Sequence, residues 1–546
     1  MKRGLLVPTL VVALSVAAGG WLLQEGVDRS TNLYTRVRVL QEVVDRVESS
    51  FVDAVDEETL YQAAIEGVIQ NLGDPHSSFL PASEFEDLRI RTEGEYGGVG
   101  LEIVDRGGYV TVVSPIPGSP GARSGLRAGD RFFEIGGVPA EGMSTDQAVQ
   151  LLRGRPGTEI DVRVLRPGVE EPIPFTLERE VVILKAVPFA MMVDGDVGYV
   201  PLQTVRETSS AEVRAAIDSL RTAGMRGLVF DLRGNPGGLL DEGIAVTDLF
   251  LEEGQAIVET RGRAANQSET FNARDEDRYQ DLPVVVLVDG TSASASEIIA
   301  GALQDHDRAV VLGQSTFGKG SVQSLFRLSG GNVLRLTTAR WYTPVGRSID
   351  RPLDADGFGP GPTDSTYALA ISGQVVDSAL VAERPEHTSI GGRTLYGGGG
   401  IVPDLMVAPE RLSAVEARAV QRIFRRGGAF QEALFGFAVA YVRDHRDLRP
   451  GFSLSAGELD AFYASLPENG QPVRQEELRQ AERFVRYHLE REIALQAWGE
   501  MGQFEQGMGQ DRQLSEAIEL LEAVSTRDAL FEVLEQRVER VVGVPF

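Results

Sequence analysis

Hydrophobic and polar residues follow different patterns in successive parts of the chain. From about residue 31 to 90, apolar residues recur at helical spacing. From Glu93 to about Val182, short β-like runs alternate with glycine turns. From 183 to about 350, buried strands alternate with amphipathic helices, and residues from about 410 to 546 are again helical in pattern. The chain is therefore predicted to be a multidomain α/β protein.

Three apolar strands of the α/β region each lead into a loop of small or polar residues. The loops are Arg233–Gly238, Asp289–Glu297 and Thr316–Gln323. Because ligands bind outside the carboxyl ends of strands in open α/β sheets, we expect the chemistry of the chain in these loops. The glycines of the first loop let the main chain approach a ligand and present N–H groups to it.

The second loop contains T-S-A-S-A-S-E and precedes an apolar helix. Unpaired N–H groups and the helix dipole favour a developing negative charge at such a helix start. Ser292, Ser294 and Ser296 are all candidate nucleophiles, and the loop alone does not choose between them. The alternative is that they only cap the helix, because serine is a favoured N-cap residue.

Lys319 lies between two glycines in the third loop, near Phe317. Only three of the 53 basic residues are lysines, so this chain otherwise uses arginine. Unlike arginine, lysine can lose its proton inside a protein. Desolvation against Phe317 would lower the pKa of Lys319 and make it a base. In an extended segment Lys319 and Gln323 share one face, so Gln323 would orient the amine. Serine–lysine pairs are a known variant of the catalytic triad.

A phosphate-binding loop is the alternative for the same segment. Gly313-x-x-x-x-Gly318-Lys319 nearly matches that motif, but Gly320 stands where a serine or threonine would bind magnesium. Such a loop must also open a helix, whereas Val322–Leu328 alternates like a strand. We therefore do not expect nucleotide binding.

Composition excludes several classes of function. The formal net charge of −27 argues against a nucleic-acid partner, which would require a basic surface. The chain has no cysteine, which excludes disulfides, thiolate catalysis and cysteine-bound zinc. None of the five histidines stands in an H-E-x-x-H motif, and we expect no metal or cofactor. His76 follows Asp74 and Pro75, so we assign it to a turn rather than to catalysis.

The region from 93 to 182 has the features of a peptide-binding module. Gly97–Ile103 is a glycine-rich loop that leads into a strand, and such loops can hold a carboxylate on their N–H groups. Ala122–Asp130 supplies a tight turn, and Ser144 with Gln147 forms a capping box at the start of a helix. This order resembles a PDZ domain of the bacterial protease type. The resemblance implies that a peptide C-terminus binds at Gly98, Val99, Gly100 and Leu101.

The N-terminus predicts export. Lys2 and Arg3 precede the mainly apolar run Leu5–Leu23. Its length suits either a cleaved signal peptide or a membrane anchor, and the sequence leaves this choice open. We therefore expect a periplasmic or other extracytoplasmic protein, secreted or tethered to the inner membrane.

The PDZ-like domain is followed by three motifs, D-L-R-G-N-P-G-G, T-S-A-S-A-S-E and T-F-G-K-G-x-V-Q. This combination resembles the carboxyl-terminal processing peptidases, the tail-specific protease family. The resemblance covers roughly residues 31 to 408. It implies an α/β core of the ClpP/crotonase-like type and a serine endopeptidase with a Ser–Lys dyad. The implied nucleophile is Ser294 and the base is Lys319, with Gln323 positioning it. The implied oxyanion hole uses the N–H of Ala295 and that of Gly238, with Gly237 as the alternative.

The family resemblance also divides the chain into domains. After Trp341–Arg347 the family usually continues soon to G-I-x-P-D, which here is Gly400–Asp404, so residues from about 350 to 399 are an insertion. The predicted domains are a leader or anchor over 1–28, an N-terminal helical region over 29–92, a PDZ domain over 93–182, the protease core over 183–408 and a C-terminal helical domain over 409–546.

Two other functions remain open at this point. One is a PDZ scaffold that has lost catalysis, although Ser294, Lys319 and Gln323 are all present. The other is Ser–Lys hydrolysis of a small amide or ester, for which a peptide-binding domain would have no use. The expected partners are protein substrates bound by their C-termini, with an adaptor protein as a further candidate, and we expect a homo-oligomer.

Overall fold

The computed structural model describes residues 34–351, 368–372, 375–376, 384–424, 429–466 and 479–542. The chain forms two compact units, the first of Met1–Ala82 with Gln323–Thr337 and the second of Ser83–Val322 with Thr338–Phe546. The predicted leader or anchor at Leu5–Leu23 lies outside the described residues. Within the described ranges, no helix has both the length and the apolar character needed to cross a membrane.

The first unit is mainly helical. Residues 34–50 form one helix and Glu57–Gln70 another, which Asp56 caps by accepting a hydrogen bond from Thr59 N at 2.9 Å. The predicted turn at His76 is confirmed, because Asp74 Oδ1 accepts the His76 N–H at 3.1 Å. A short strand that the helical spacing did not predict, Ser78–Leu80, follows and pairs antiparallel with residues 333–335.

The helix Ala82–Glu93, which belongs to the second unit from Ser83 onward, is followed by the PDZ-like region. The helix Thr145–Leu152 starts as predicted: Gln147 N donates to Ser144 Oγ at 3.2 Å, and Ser144 N donates to Gln147 Oε1 at 3.0 Å. The strands of the main sheet of this region, in sheet order, are Leu101–Arg106, Tyr109–Pro115, Arg131–Ile135, Glu159–Leu165 and Ile173–Glu178, and Val138–Pro139 also pairs with Arg131–Ile135. Glu95–Gly98 and Glu180–Ile183 form a separate two-stranded sheet. The region also contains the short helix Pro120–Ser124.

A six-stranded sheet forms the centre of the α/β region. Its strands, in sheet order, are Met191–Asp194, Val197–Pro201, Gly227–Asp231, Val284–Val288, Val310–Gly313 and Leu405–Met406. The first pair is antiparallel and every later pair is parallel. Runs such as V-V-V-L-V are apolar at every position because a parallel sheet is covered on both faces.

Alternate residues of these strands enter two separate cores. Leu228, Phe230 and Val286 pack on one face against the helices Ser209–Thr222, Leu240–Asp248 and Ala295–Asp305. Val229, Val285 and Leu287 pack on the other face against Leu514, Ala517, Leu520 and Leu521. The second face is therefore covered by helices from the far end of the sequence.

The C-terminal part is helical, as the sequence predicts, but its helices divide between two cores. The helices Ala414–Phe424, Ala429–Asp444, Ala456–Ser465 and Glu482–Gly507 contribute to a hydrophobic cluster of their own. The helices Arg512–Glu522 and Arg527–Val542 instead cover the central sheet. These helices approach the sheet closely, since a Cβ at position 227 would lie only 3.1 Å from Leu521 Cβ.

The remaining strands belong to other, smaller sheets, and four of them lie in the predicted insertion. Much of that insertion lies outside the described residues. The strands are Ala256–Gly262, Glu269–Asn272, Ser321–Arg327, Val333–Tyr342, Ala368–Leu369, Val375–Val376, Glu386–Thr388 and Thr394–Tyr396.

Leu520→Ala tests whether the last helices belong to the core of the sheet. Leu520 is fully buried, so the substitution should lower the free energy of unfolding by about 3 kcal/mol. Amide hydrogen exchange in Val284–Val288 should become faster. The matched control is Leu489→Ala, an equally buried leucine of the separate helical cluster. Unchanged exchange in the strand after Leu520→Ala would contradict the shared core.

Candidate active site

The three loops predicted to carry chemistry meet at the carboxyl ends of neighbouring parallel strands. These strands end at Asp231, Val288 and Gly313, and each is hydrogen-bonded to the next. Asp289, which is buried, joins the first two loops because its Oδ1 accepts Gly234 N at 3.2 Å and Ser292 N at 3.0 Å. The chain fold therefore brings distant sequence segments to one edge of the sheet.

Ser292 and Ser296 hold the loops together. Both are fully buried. Ser292 Oγ donates to Leu232 O at 2.8 Å, and Ser296 Oγ donates to Asn235 O at 3.1 Å. Each hydroxyl thus satisfies a carbonyl of the first loop, which gives these two serines structural roles.

Ser294 differs from its neighbours in accessibility and in backbone conformation. It is partly exposed, whereas Ser292 and Ser296 are buried. Its φ of 55° and ψ of −114° lie in a region that residues with a side chain rarely adopt. Asp307 is the other non-glycine residue with positive φ in the described ranges. Strained backbone of this kind is typical of functional sites.

The buried carboxylate of Glu297 connects the Ser294 loop to the Lys319 loop. Its Oε2 accepts Ser294 N at 2.8 Å and Lys319 N at 2.9 Å. Its Oε1 accepts Gly318 N at 2.7 Å and Thr316 Oγ1 at 2.5 Å. The backbones of Ser294 and Lys319 therefore meet at a single oxygen atom. Burial raises the pKa of Glu297, and the surrounding donors oppose that shift.

Further bonds fix the loop of Lys319. Phe317 N donates to Ser292 O at 3.0 Å, and the indole N–H of Trp341 donates to Lys319 O at 3.0 Å. Lys319 is partly buried and precedes the strand Ser321–Arg327. Gln323 lies within that strand, where its Nε2 donates to Thr337 Oγ1 at 3.3 Å. Its positioning role stays a prediction.

The two backbone N–H groups predicted to form the oxyanion hole are those of Ala295 and Gly238. The N–H of Ala295 begins the helix Ala295–Asp305, and neither it nor the N–H of Gly238 is hydrogen-bonded within the described part of the chain. Gly237 N, by contrast, donates to Asn235 Oδ1 at 2.8 Å. This difference favours Gly238 over Gly237.

Glycine is required at both positions of this turn. A Cβ at Gly237 (φ 87°) would lie 2.8 Å from Ala295 N and 2.9 Å from Ser294 Cβ. A Cβ at Gly238 would overlap the carbonyl oxygen of Val205. The first loop therefore lies against the nucleophile loop at a distance that only glycine allows.

The PDZ-like region places its glycine loop at the open end of an edge strand. Leu101–Arg106 pairs with Tyr109–Pro115 on one side only, as far as the described residues extend. Gly98, Val99 and Gly100 are buried, and no hydrogen bond within the described ranges uses the N–H of Val99 or Gly100. These N–H groups are suited to donate hydrogen bonds to a carboxylate.

Two structural residues of the site had no role in the sequence predictions. Asp289 and Glu297 enter the sequence predictions only as the first and last residues of the second loop. Glu297 had a detectable signal, because Ser294-x-x-Glu297 has the spacing of a capping box, in which the glutamate accepts the N-cap N–H. The described ranges contain no cluster of three or more histidine or acidic side chains that could hold a metal ion.

Comparison with protein-family models supports the same parts of the chain. Residues 196–357 match the model of peptidase family S41, and residues 111–166 match a PDZ domain. Residues 22–83 match the N-terminal domain of the activating protease CtpB. The predicted resemblance to the carboxyl-terminal processing peptidases and the predicted fold class are thereby confirmed.

Curated relatives carry names of the same family. The carboxy-terminal-processing protease of Bartonella bacilliformis is 42% identical over 322 residues, which is 58% of this chain and 73% of the relative. The carboxyl-terminal-processing protease of Synechocystis sp. is 39% identical over 295 residues, 53% of this chain and 68% of the relative. A solved photosystem II D1 C-terminal processing protease is 30% identical, with coverage of 60% of this chain and 94% of that chain and a TM-score of 0.33.

Glu297→Gln should uncouple the Ser294 and Lys319 loops. Glutamine offers one acceptor oxygen and one NH₂ group, so in either orientation two of the four donors face an NH₂ group. Displacement of the loops by about 1 Å should slow peptide cleavage about 100-fold. Initial rates of the folded fraction, with thermal unfolding recorded in parallel, provide the measurement.

The matched control is Glu212→Gln. Glu212 is a partly buried carboxylate that accepts three hydrogen bonds in a similar pattern: its Oε2 accepts Ala186 N and Val187 N at 2.9 Å, and its Oε1 accepts Thr208 Oγ1. It lies outside the three loops, so its substitution should reduce stability and leave the cleavage rate unchanged. Equal loss of activity in both variants would remove the specific role of Glu297.

Proposed function

Because this chain belongs to the carboxy-terminal processing proteases of peptidase family S41, we propose that it is a serine endopeptidase with a Ser294–Lys319 dyad. The observation that carries this assignment is the Glu297 carboxylate, whose Oε2 accepts N–H groups from both residues. A catalytic dyad needs its nucleophile and its base held close to each other, and these two hydrogen bonds hold the backbones of Ser294 and Lys319 at a fixed relative position.

The proposed reaction is acyl transfer to Ser294. The neutral amine of Lys319 accepts the hydroxyl proton as Ser294 Oγ bonds to the peptide carbonyl carbon. The carbonyl oxygen becomes an oxyanion, which the N–H groups of Ala295 and Gly238 stabilise, each by about 3 kcal/mol. Lys319 then protonates the leaving amine as the C–N bond breaks, which leaves an acyl-enzyme.

Water completes the cycle. Lys319 accepts a proton from a water molecule that attacks the ester carbonyl of acylated Ser294. The tetrahedral intermediate collapses with return of the proton to Ser294 Oγ and release of the new carboxylate. Every group used in the two half-reactions belongs to the three loops of the sheet edge.

We further propose that the PDZ domain binds substrate C-termini. Its support is the open edge of Leu101–Arg106, to which a peptide strand can add, and the N–H groups of Val99 and Gly100 at the start of that edge.

We also propose that the protein acts outside the cytoplasm, which the basic residues and the apolar run at its N-terminus support. Tagged full-length protein should fractionate with periplasm or inner membrane.

Ser294→Ala and Lys319→Arg test the dyad directly. Loss of the nucleophile should reduce cleavage of a loosely folded protein at least about 10⁴-fold. Arginine keeps the positive charge but cannot act as a base, so Lys319→Arg should be similarly inactive. Product formation is followed by gel and mass spectrometry.

Ser292→Ala is the control from the same loop. It removes a buried hydroxyl that bonds Leu232 O, so stability should fall by about 1 kcal/mol while cleavage continues. Full activity of the Ser294→Ala variant would show that another serine is the nucleophile. Absence of cleavage by the unmutated chain, with retained peptide binding, would favour a scaffold.

Peptides with a free or an amidated C-terminus test the PDZ assignment. Binding to the Ser294→Ala variant avoids cleavage during the measurement. Amidation removes the charge that the loop N–H groups would bind, so Kd should rise about 10- to 100-fold. Equal affinity of the two peptides in calorimetric titrations would show that the C-terminal carboxylate is not recognised.

A further inference from the structure

The first loop has one charged side chain, Arg233, and it is bound by the far end of the chain. The guanidinium is largely buried, with 17% of the side chain exposed. Its NH1 donates to Asp511 Oδ1 at 2.9 Å and its NH2 donates to Asp511 Oδ2 at 2.7 Å. This two-bond geometry fixes both the distance and the orientation of the guanidinium plane.

Other groups complete the cluster around Arg233. Asp231 accepts the Arg233 Nε–H at 3.0 Å, and the hydroxyl of Tyr199 donates to Asp231 Oδ2 at 2.7 Å. Gln513 Oε1 accepts from Arg233 NH1 at 3.0 Å. Burial alone would raise the pKa of Asp511, but the Arg233 guanidinium outweighs it and keeps that pKa below its usual value. The pair is therefore ionised over the working pH range.

Asp511 also sets the position of a helix. It is the N-cap of Arg512–Glu522, where its Oδ1 accepts Leu514 N at 3.0 Å. The helix covers the second face of the central sheet through Leu514 and Leu520. Arg233 is thus bound to a rigid element rather than to a surface loop.

The main chain carries this restraint from Arg233 toward the reacting atoms. Gly238 follows Arg233 by five residues, and the intervening Gly234 and Gly237 have φ values of 74° and 87°. Glycine-rich segments have many accessible conformations, so their geometry depends on outside bonds. Asn235 Nδ2 fixes the middle of the loop by donating to Leu202 O at 2.7 Å, and the Arg233–Asp511 ion pair fixes its beginning.

We propose that Asp511 is a positioning residue for the oxyanion hole, acting through Arg233 on the loop that presents Gly238. The helix Arg512–Glu522 then supports catalysis only through its N-cap residue. The three family models end at or before residue 357, so Asp511 lies in a part of the chain that none of them covers, whereas Arg233 lies within the match to family S41. The proposal rests on the proposed dyad and its oxyanion hole.

Asp511→Asn in the full-length chain tests the proposal. Asparagine is as good an N-cap as aspartate, so the helix keeps its start while the charged two-bond contact to Arg233 is lost. We expect kcat to fall about 10- to 100-fold with KM changed less than about threefold, because the oxyanion hole acts in the transition state. The affinity of a peptide aldehyde, which adds to the nucleophile and forms an oxyanion, should fall by the same factor.

Glu516→Gln is the matched control. Glu516 lies in the same helix and pairs with Arg537 of the next helix, away from Arg233. Its substitution makes the same carboxylate-to-amide change and should leave kcat and aldehyde affinity unaltered. A second comparison measures binding of substrate peptide in the Ser294→Ala background, where Asp511→Asn should have no effect.

The outcomes separate the two levels of the argument. If the unmutated chain neither cleaves peptides nor binds the aldehyde, the proposed function fails. If it does both and Asp511→Asn leaves kcat and aldehyde affinity unchanged, the positioning role is overturned. Equal losses in Asp511→Asn and Glu516→Gln would also overturn it, because they would mark a general effect of helix stability.

Discussion

Glu297 places an ionisable group where the helix Ala295–Asp305 begins and where water has no access. An isolated buried carboxylate is costly, so the surrounding chain must supply donors. It supplies four, and they come from the nucleophile loop and from the loop of the proposed base. The need to satisfy one buried carboxyl group thus helps to determine where two loops lie relative to each other. A carboxylate suits this place because its two oxygens accept hydrogen bonds and donate none.

The central sheet imposes the second constraint. A parallel sheet needs cover on both faces, and the helices between its strands cover only one. The second face is covered by helices that begin at Arg512. Because that helix starts at the carboxyl edge of the sheet, its N-cap reaches the loop after Asp231. A requirement of packing thereby brings a distant segment beside the proposed oxyanion loop.

The sequence predicts the strands and loops of this site better than their connections. Runs such as Val284–Val288 are apolar at every position, and each ends at a turn of polar residues, so the sheet edge could be located from pattern alone. The helix start at Ser144 follows from local capping chemistry and is confirmed. Local rules of this kind depend on residues a few positions apart.

Contacts between distant segments could not be predicted in the same way. The helical spacing of residues 512–522 indicates an apolar stripe but does not identify the surface that it covers. Likewise, three serines at alternate positions are equivalent in the sequence. They differ in the fold because Ser292 and Ser296 are buried and donate to the carbonyl oxygens of Leu232 and Asn235, while Ser294 is partly exposed and has a positive φ. The bonds that distinguish them reach residues some sixty positions away in the sequence, which local spacing cannot reveal.

The basic residues with structural roles differ in type from the proposed catalytic base. Buried structural cations such as Arg233, Arg308 and Arg347 are arginines, each bonded to a carboxylate. Arginine suits these places because it stays charged and matches the planar carboxylate. Lys185 is exposed, so Lys319 is the partly buried lysine of the described ranges. A group that must exchange a proton with a serine cannot be an arginine, and the chain departs from its usual cation at the position where the proposed reaction requires that exchange.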